Sequence, residues 1–321
     1  MLPEKLIQNV LIDLFNIRSD ETFLMVVDDN FKDHGQKIVD AAEKHCKRAE
    51  MVNIPLGKRN GQEPPNEAAK AMLEHDVQMY WTTKSLSHTD ARRAATKMGH
   101  RIISSPGMTV DMFERCVDID YGELLEVHKE LQPLIAQSKM IRVVSSKGTD
   151  ISFSVHDTHG RPGKVIKHQK GAFGNLPGDE VDSGVVRETM NGTLVFDGSF
   201  PEVGVLDEEV VVEVKSGIGT IVSENESSRK IKGMLDEVGK DAFKIAEFGI
   251  GTNPKAKLTG VVLEDEKIMG TVHFAFGNDI TYGGDNDVGI HIDGIITNPT
   301  VIVDGVKTHE NGRLLLESCK Y

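Results

Sequence analysis

The first 120 residues alternate between short apolar runs and stretches with helical spacing, and this alternation constrains the fold more than any other feature. The apolar runs predict strands at 23–27, 51–55, 77–82 and 101–104, and the stretches around them predict helices at 1–17, 31–49, 67–73, 89–98 and from 110. Strands that alternate with helices form a parallel sheet covered on both faces. The N-terminal part is therefore predicted to be a doubly wound α/β domain. No G-x-G-x-x-G follows its first strand, so a dinucleotide fingerprint is absent.

The pattern changes near residue 140, where short apolar or alternating runs are separated by glycine-rich turns. These runs predict strands at 141–145, 151–155, 193–196, 210–214, 260–263, 271–276 and 300–303. One substantial helix is expected there, at 227–243. We predict two domains, an α/β domain over residues 1–135 and a β-rich α+β domain over residues 136–321, joined through a charged helix at 122–135.

Charge and cysteine content narrow the class of protein. The net charge is 37 − 50 = −13 and the pI is near 5.4, which argues against nucleic acid and anionic membrane as partners. The three cysteines are far apart and form no C-x-x-C pair, which argues for a reducing compartment and against a thiolate metal site. No run approaches the ~20 apolar residues of a membrane helix, and the N-terminus lacks a signal-peptide core. We therefore expect a cytoplasmic protein.

Candidate metal ligands stand beside glycine or proline in the second half of the chain. His291 and Asp293 would share a face of one strand, because side chains two residues apart point the same way. His273 occupies its own short apolar run. Glu180 follows a Pro-Gly turn, and Glu247 stands at the start of what is predicted to be a tight Gly-x-Gly turn. Such a set suits two metals that share a carboxylate, or one iron held by two histidines and one carboxylate with open positions.

The order of the motifs resembles that of the aminopeptidase T family of metallopeptidases. The matching segments are NLPGDEV (175–181), GTLVFDG (192–198), AEFGIGTNP (246–254), EDEKIMGTVHFAFGN (264–278), GIHIDG (289–294) and IVDGVKTHENGR (302–313). The resemblance covers most of residues 140–321 and, more loosely, the first half. It implies two divalent ions, zinc, cobalt or manganese, held by Glu180, Glu247, His273, His291 and Asp293. It also implies a catalytic tyrosine, for which Tyr282 is the candidate.

Under this hypothesis the protein is a metal-dependent aminopeptidase-like hydrolase, which cleaves an N-terminal residue or a small amide with a metal-activated water. Glu180 and His273 would coordinate one ion, His291 and Asp293 would coordinate the other, and Glu247 would bridge the two ions. Glu180, Glu247 or Glu266 would act as general base. The acidic run 264–266 that contains Glu266 is otherwise predicted to be a solvated turn. The resemblance also implies a homo-oligomer.

A second group of similar, shorter chains, the 2,5-dihydroxypyridine dioxygenases, shares this scaffold. The resemblance to them implies one Fe(II) held by His273, His291 and Asp293 and cleavage of a dihydroxypyridine-like ring. Polar residues would then orient the ring: His156, His159 and His168 of the 156–168 loop are available, although a lone exposed histidine usually has no such role, and Arg161 or Lys164 of the same loop could bind a substrate carboxylate. The length of 321 residues favours this alternative, whereas the presence of Glu180 and Glu247 favours the hydrolase. A binding protein that has lost its chemistry is disfavoured because all five candidate ligands are present.

Overall fold

The computed structural model describes residues 2–87, 89–156 and 169–319, and these residues form two compact units. The first unit extends to Tyr121 and includes a later segment that ends at Gly178. The second unit begins at Gly122 and resumes at Asp179. The predicted domain boundary lies at the end of the helix over 122–135, whereas the division in the structure lies at the start of that helix. No helix in the described ranges is long and apolar enough to cross a membrane.

The first unit alternates helices and strands as predicted. Its elements are α1 (Glu4–Gln8), continued by a π-helical segment (Asn9–Leu14), β1 (Thr22–Asp28), α2 (Lys32–Ala42), β2 (Arg48–Ile54), α3 (Asn66–Met72), β3 (Val77–Trp81), α4 (Asp90–Lys97), β4 (Arg101–Ser104) and α5 (Val110–Cys116). The strands pair in parallel in the order β2-β1-β3-β4. The run from Phe23 to Val27 is fully buried, as expected of a central strand of a sheet covered on both faces.

The boundaries of α2 and β2 differ from the prediction. The helix expected to extend to residue 49 ends at Ala42, and β2 begins at Arg48 rather than at residue 51. Residues Arg48 to Glu50 pair with Thr22 to Leu24 of β1. Pairing with a neighbouring strand therefore decides where this segment becomes extended, and local spacing does not contain that information.

The remaining elements belong to the second unit, except β7, which joins β4 in the first sheet. They are α6 (Tyr121–Ala136), β5 (Ile141–Val144), β6 (Asp150–Val155), β7 (Phe173–Asn175), β8 (Glu180–Phe196), β9 (Ser199–Phe200), β10 (Gly204–Val205), β11 (Val210–Lys215), β12 (Ile218–Ile221), α7 (Glu226–Val238), a 3-10 turn (Lys240–Phe243), β13 (Ile245–Gly251), α8 (Val262–Asp265), β14 (Val272–Gly277), a 3-10 turn (Ile280–Tyr282), β15 (His291–Ile296), β16 (Thr300–Val303), β17 (Val306–Glu310) and β18 (Arg313–Leu314).

A large antiparallel sheet organises the second unit, with the order β15-β14-β13-β8-β6-β5-β16-β17-β18 and with β11 and β12 attached beside β8. Strand β8 has 17 residues, whereas the apolar pattern predicts a strand only at 193–196. Its first half pairs with β13 and its second half with β11, while β6 pairs along it. This strand therefore joins the two branches of the sheet, and the fold is the predicted β-rich α+β domain.

The predicted strand at 260–263 is wrong. Residues Val262–Asp265 form the short helix α8, and a loop precedes it. The carboxylate of Asp265 accepts hydrogen bonds from the backbone nitrogens of Thr259 and Gly260 and from Oγ of Ser199. These hydrogen bonds satisfy the backbone nitrogens of Thr259 and Gly260 within the loop, so these groups do not need a partner strand.

Aromatic side chains form the part of the second core that lies beneath β13 and β14. Phe153 packs against Phe248 and Phe274, with ring centroids 5.0 and 5.5 Å apart. Phe248 and Phe274 directly follow Glu247 and His273 in their strands, and successive side chains of a strand point to opposite faces. One face of β13 and β14 is therefore core, and the other carries the candidate ligands.

Candidate metal centre

Four adjacent strands, β15, β14, β13 and β8, carry the five candidate ligands on one face of the sheet. Because directly paired residues project from the same face, the register shows what stands beside each ligand. Every ligand has a glycine or an alanine as a direct partner: Glu180 has Gly251, Glu247 has Gly184 and Ala275, His273 has Gly249, His291 has Gly277, and Asp293 has Ala275; His273 is also paired with Ile295 on its other side. The small partners leave room above the sheet for the polar side chains and for whatever they hold.

The Gly-x-Gly segment after Glu247 is a strand, which corrects the predicted turn. A Cβ atom on Gly249 would lie 2.0 Å from Nε2 of His273, and a Cβ atom on Gly251 would lie 2.1 Å from the carbonyl oxygen of Ile268. Both glycines therefore permit close approach within a sheet. Glycines at alternate positions of an apolar run are the sequence signal that could have revealed this face.

Glu247 lies between the two imidazoles. Its Oε1 is 3.5 Å from Nε2 of His273, and its Oε2 is 3.0 Å from Nε2 of His291. Oδ1 of Asp293 lies 3.7 Å from the same nitrogen of His291. Ligand atoms of Glu247, His273 and Asp293, the outer group, lie within 4.8 Å of one another. Ligands of one six-coordinate ion stand about 3–4 Å apart, so the outer group has the dimensions of a single metal site.

The ring of His291 is oriented by a backbone carbonyl. Its Nδ1 lies 2.8 Å from the oxygen of Asn278, and since a carbonyl oxygen only accepts, Nδ1 donates. Nε2 is then the atom that faces Glu247 and Asp293. A histidine held in this way by a second hydrogen bond is the usual arrangement of a metal ligand.

A second candidate set, the inner group, consists of Glu180, Glu266 and His273, whose ligand atoms also lie within 4.8 Å of one another. All three residues are buried. The ammonium of Lys267 is 2.5 Å from Oε2 of Glu180 and donates to Oε1 of Glu266. Burial alone would lower the pKa of Lys267, but these two carboxylates outweigh it and raise the pKa above its ordinary value. Lys267 is therefore a fully buried cation.

Burial of Glu266 corrects the prediction that residues 264–266 form a solvated turn. Glu264 and Asp265 are fully buried, and Glu266 is 8% exposed. Glu264 accepts from the backbone nitrogen of Lys257, while Glu266 accepts from Lys267. Burial raises the pKa of Glu266 to about 8; Asp293 and Glu180 add to the rise, and Lys267 opposes it. Glu264 and Asp265 thus stabilise the local backbone through hydrogen bonds, whereas Glu266 faces the candidate site.

The carboxylates shift the pKa of both imidazoles upward. Burial by itself lowers the pKa of His291, but Asp293 and Glu247 raise it to about 10. Burial likewise opposes the rise of the pKa of His273, which Glu247 and Glu180 bring to about 9. Burial acts to raise the pKa of Glu247, yet its bonds to the two imidazoles hold that pKa well below its usual range. A metal that binds Nε2 of these rings must displace the proton held on that nitrogen, so its binding here is coupled to proton release.

The residues present fit a divalent cation. In the described part of the chain, the inner and outer groups together with His291 and Lys267 contain four buried or nearly buried carboxylates, two imidazoles and one ammonium. Nδ1 of His273 and Oδ1 of Asp293 are buried and have no hydrogen-bond partner within the described residues. Buried acidic groups are costly unless they are paired with a cation or coordinate one. Two nitrogens and several carboxylate oxygens form a donor set suited to zinc, manganese or iron.

Tyr282 lies over the candidate site. Its ring stacks on the imidazole of His291, with centroids 5.6 Å apart and planes 12° apart. Burial raises its pKa well above the ordinary value, and the surrounding carboxylates add to the rise, so the phenol keeps its proton. The loop that carries Tyr282 is fixed by Arg187, whose guanidinium binds Asp279 and Asp285.

The structure thus brings together the five candidate ligands and Tyr282, while their individual roles stay predictions. His159, Arg161, Lys164 and His168 lie outside the described residues. His156 is described, and its backbone nitrogen donates to the oxygen of Gly184 at 2.8 Å. The sequence does not identify Lys267 as a site residue, because a lysine next to an acidic run normally indicates a solvated surface.

Comparison with known proteins identifies the family. A family model of 2,5-dihydroxypyridine 5,6-dioxygenase (NicX) matches residues 11–316, which is nearly the whole chain. The chain belongs to the 2,5-dihydroxypyridine 5,6-dioxygenase family. Membership of this family places the chain among enzymes, and it supports the alternative from the sequence analysis better than the aminopeptidase. No curated protein matches the sequence.

Two solved structures share the fold of this member of the dioxygenase family. The 2,5-dihydroxypyridine dioxygenase from Pseudomonas putida KT2440 is similar with a TM-score of 0.82 at 17% identity, covering 98% of this chain and 97% of that one. Wild-type AmpT from Thermus thermophilus is similar with a TM-score of 0.70 at 15% identity, covering 98% of both chains. At these identities the likeness shows the fold alone. The resemblance to aminopeptidase T is thus confirmed in the fold.

Proposed function

We propose that the protein is a mononuclear Fe(II) dioxygenase that opens the ring of a 2,5-dihydroxypyridine or a closely related hydroxylated aromatic. The observation that carries this proposal is the grouping of two imidazoles and one carboxylate, His273, His291 and Asp293, on neighbouring strands of a chain that the dioxygenase family model matches from residue 11 to residue 316. Two histidines and one carboxylate that leave open positions are the ligand set of many Fe(II) oxygenases.

Exposure indicates the side from which a substrate would approach. The side chains of His291 and Asp293 are 15% and 14% exposed, whereas those of Glu180, Glu247 and His273 are 5% or less. The open side of the site is therefore at β15. Tyr282, stacked on His291, covers part of this side with an aromatic face and limits access of water.

When bound at this position, ferrous iron would supply sites for dioxygen and for the oxygen atoms of the ring. The chain's own residues supply the orientation. Asn278 fixes the ring plane of His291 through its carbonyl oxygen. Glu247, which lies between the two imidazoles, holds both rings toward a common point. A ligand set oriented in this way loses little freedom when it takes up the ion.

An aminopeptidase-like hydrolase is the second candidate, and the inner group favours it. A hydrolase of the two-metal type needs a second ion about 3.5–4 Å from the first. Glu180, Glu266 and His273 have the spacing for such an ion. The two proposals therefore differ in a countable quantity, one ion or two per chain.

Metal analysis and parallel assays separate the two candidates. Protein purified without added metal or chelator would be analysed for metal content, then depleted, reconstituted with Fe(II) under argon and assayed for oxygen uptake with 2,5-dihydroxypyridine. Hydrolysis of aminoacyl anilides would be assayed on the same samples after addition of Zn(II), Co(II) or Mn(II). We expect one iron per chain, oxygen uptake and no anilide hydrolysis.

A pair of variants provides the control. His291→Ala should lose both iron and oxygen uptake, because it removes a ligand, whereas His45→Ala, a half-buried histidine of the first unit, should retain both. Two zinc or cobalt ions per chain with anilide hydrolysis and no oxygen uptake would refute the dioxygenase proposal in favour of the hydrolase.

A further inference from the structure

The inner group holds an ammonium where its geometry would suit a metal. Ligand atoms of Glu180, Glu266 and His273 lie within 4.8 Å of one another. Nζ of Lys267 is 2.5 Å from Oε2 of Glu180 and donates to Oε1 of Glu266, so it contacts both carboxylates of the group. The side chain of Lys267 is fully buried. Lys267 therefore already supplies the positive charge that the two carboxylates require.

The ammonium and a divalent ion could not both bind these carboxylates. A metal–carboxylate bond is about 2.0–2.2 Å long, so an ion bound to Oε2 of Glu180 would lie no more than about 5 Å from Nζ. Like charges at such a distance, away from water, repel strongly. An ion that entered the inner group would have to expel the ammonium from both carboxylates.

The backbone around Lys267 holds the ammonium in this place. Its nitrogen donates to the oxygen of Glu264 at 2.8 Å, and its oxygen accepts from the nitrogen of Asn253 at 2.8 Å. The oxygen of Ile268, the next residue, comes so close to Gly251 that a Cβ atom there would lie 2.1 Å away. The segment is thus packed tightly against β13, and Lys267 begins from a fixed position beside Glu180.

We propose that Lys267 is a built-in cation that fills the inner of two divalent positions and so restricts this protein to one metal ion, in the outer group. The proposal rests on the proposed function in that it takes the outer group, with His291, as the working site. Under this proposal, Lys267 alone determines whether the ligands on this sheet bind one divalent ion or two. The kind of ion excluded is any divalent metal that accepts carboxylate and imidazole ligands.

The test counts ions and does not depend on turnover. Wild-type protein, Lys267→Met and the surface control Lys232→Met would be titrated with Mn(II), and bound metal would be measured by equilibrium dialysis. Electron paramagnetic resonance would show whether two manganese ions are coupled. We expect one ion in the wild type and in Lys232→Met, and two coupled ions in Lys267→Met. Without the like charge of the ammonium, the second ion should bind about 100-fold more tightly or better.

Two further variants keep the test decisive if Lys267→Met does not fold without metal. Lys267→Met/Glu266→Gln removes one buried carboxylate along with the ammonium, so it should fold and bind a second ion weakly. Lys267→Arg keeps the charge and should bind one ion. Circular dichroism would confirm folding. Two ions in the wild type, or a single ion in folded Lys267→Met at saturating Mn(II), would overturn the proposal.

Failure of this proposal and failure of the proposed function would look different. One ion in the wild type and two in Lys267→Met, without oxygen uptake by the iron form, would support the role of Lys267 and refute the dioxygenase. Oxygen uptake by a wild type that binds two ions would support the dioxygenase and refute the role of Lys267.

Discussion

Replacement of Gly249 by alanine tests the geometry of the site directly. The new methyl carbon would lie 2.0 Å from Nε2 of His273, whereas ordinary contacts begin near 3.4 Å, so the imidazole would have to move by 3.4 − 2.0 = 1.4 Å. His273 is 1% exposed and is flanked in β14 by buried residues on the core face. The ring therefore has little room to yield, and the strain must appear in the strand pairing or in the site.

The size of the effect follows from the tolerance of metal sites. Ligand positions need to be correct to within about 0.5 Å, so a displacement of this size should remove His273 from the coordination shell. We expect metal affinity to fall by at least about 100-fold, since even loss of an outer-shell partner typically costs 10–100-fold. Overpacking should also lower the free energy of unfolding by about 1–3 kcal/mol.

Equilibrium dialysis with Fe(II) under argon and urea unfolding would measure the two effects. Gly233→Ala provides the matched control, because a Cβ atom on this exposed residue of α7 meets nothing within 4 Å. This control should stabilise the protein by about 0.5–1 kcal/mol and leave metal affinity unchanged. Wild-type metal affinity in Gly249→Ala would show that His273 is not a ligand or does not lie over Gly249.

Three other substitutions test separate parts of the structure. Arg101→Met leaves Glu21, whose two oxygens each lie 2.7 Å from the guanidinium, without its buried partner, and should cost about 3–5 kcal/mol by urea unfolding; an unchanged midpoint would contradict the buried pair. Burial lowers the pKa of His309 to about 4 from an unfolded value near 6.5, so the unfolded state binds the extra proton between these pH values. Wild-type stability should therefore fall by about 3 kcal/mol as the pH drops from 6.5 to 4, and His309→Gln should lose less over that range; parallel pH profiles would refute this. Arg187→Gln removes the guanidinium that binds Asp279 and Asp285. Amide hydrogen exchange in residues 278–290 should therefore accelerate, while exchange in β11 and β12 stays unchanged. Unchanged exchange in residues 278–290 would show that other contacts fix the loop.

Short-range patterns explain what could be predicted from the sequence. The alternation before residue 120 predicted the parallel sheet, and the spacing of His291 and Asp293 predicted their common face. The structure brings these residues close to His273, Glu180 and Glu247, as the order of the motifs implied. Each of these predictions uses residues that are near in sequence or a resemblance that spans the chain.

Long-range pairing explains what could not be predicted. Strand β7 has three residues and one apolar side chain, and it is extended only because it pairs with β4. The Gly-x-Gly segment was predicted to be a turn because the close approach of His273 comes from another strand. Lys267 has no sequence signal at all, since its burial depends on Glu180, which lies 87 residues earlier.

The alternation of core and ligand residues along β13 and β14 has a consequence for how this protein can change over time. Phe248 follows Glu247, and Phe274 follows His273. One residue of each pair must therefore pack in the core, and the other must be placed correctly in the candidate metal site. A substitution that repacks the aromatic core moves the same backbone that carries the ligands. Variation that alters substrate preference while preserving the fold is therefore expected mainly in the connecting loops, where a change of side chain does not have to satisfy both faces of a strand.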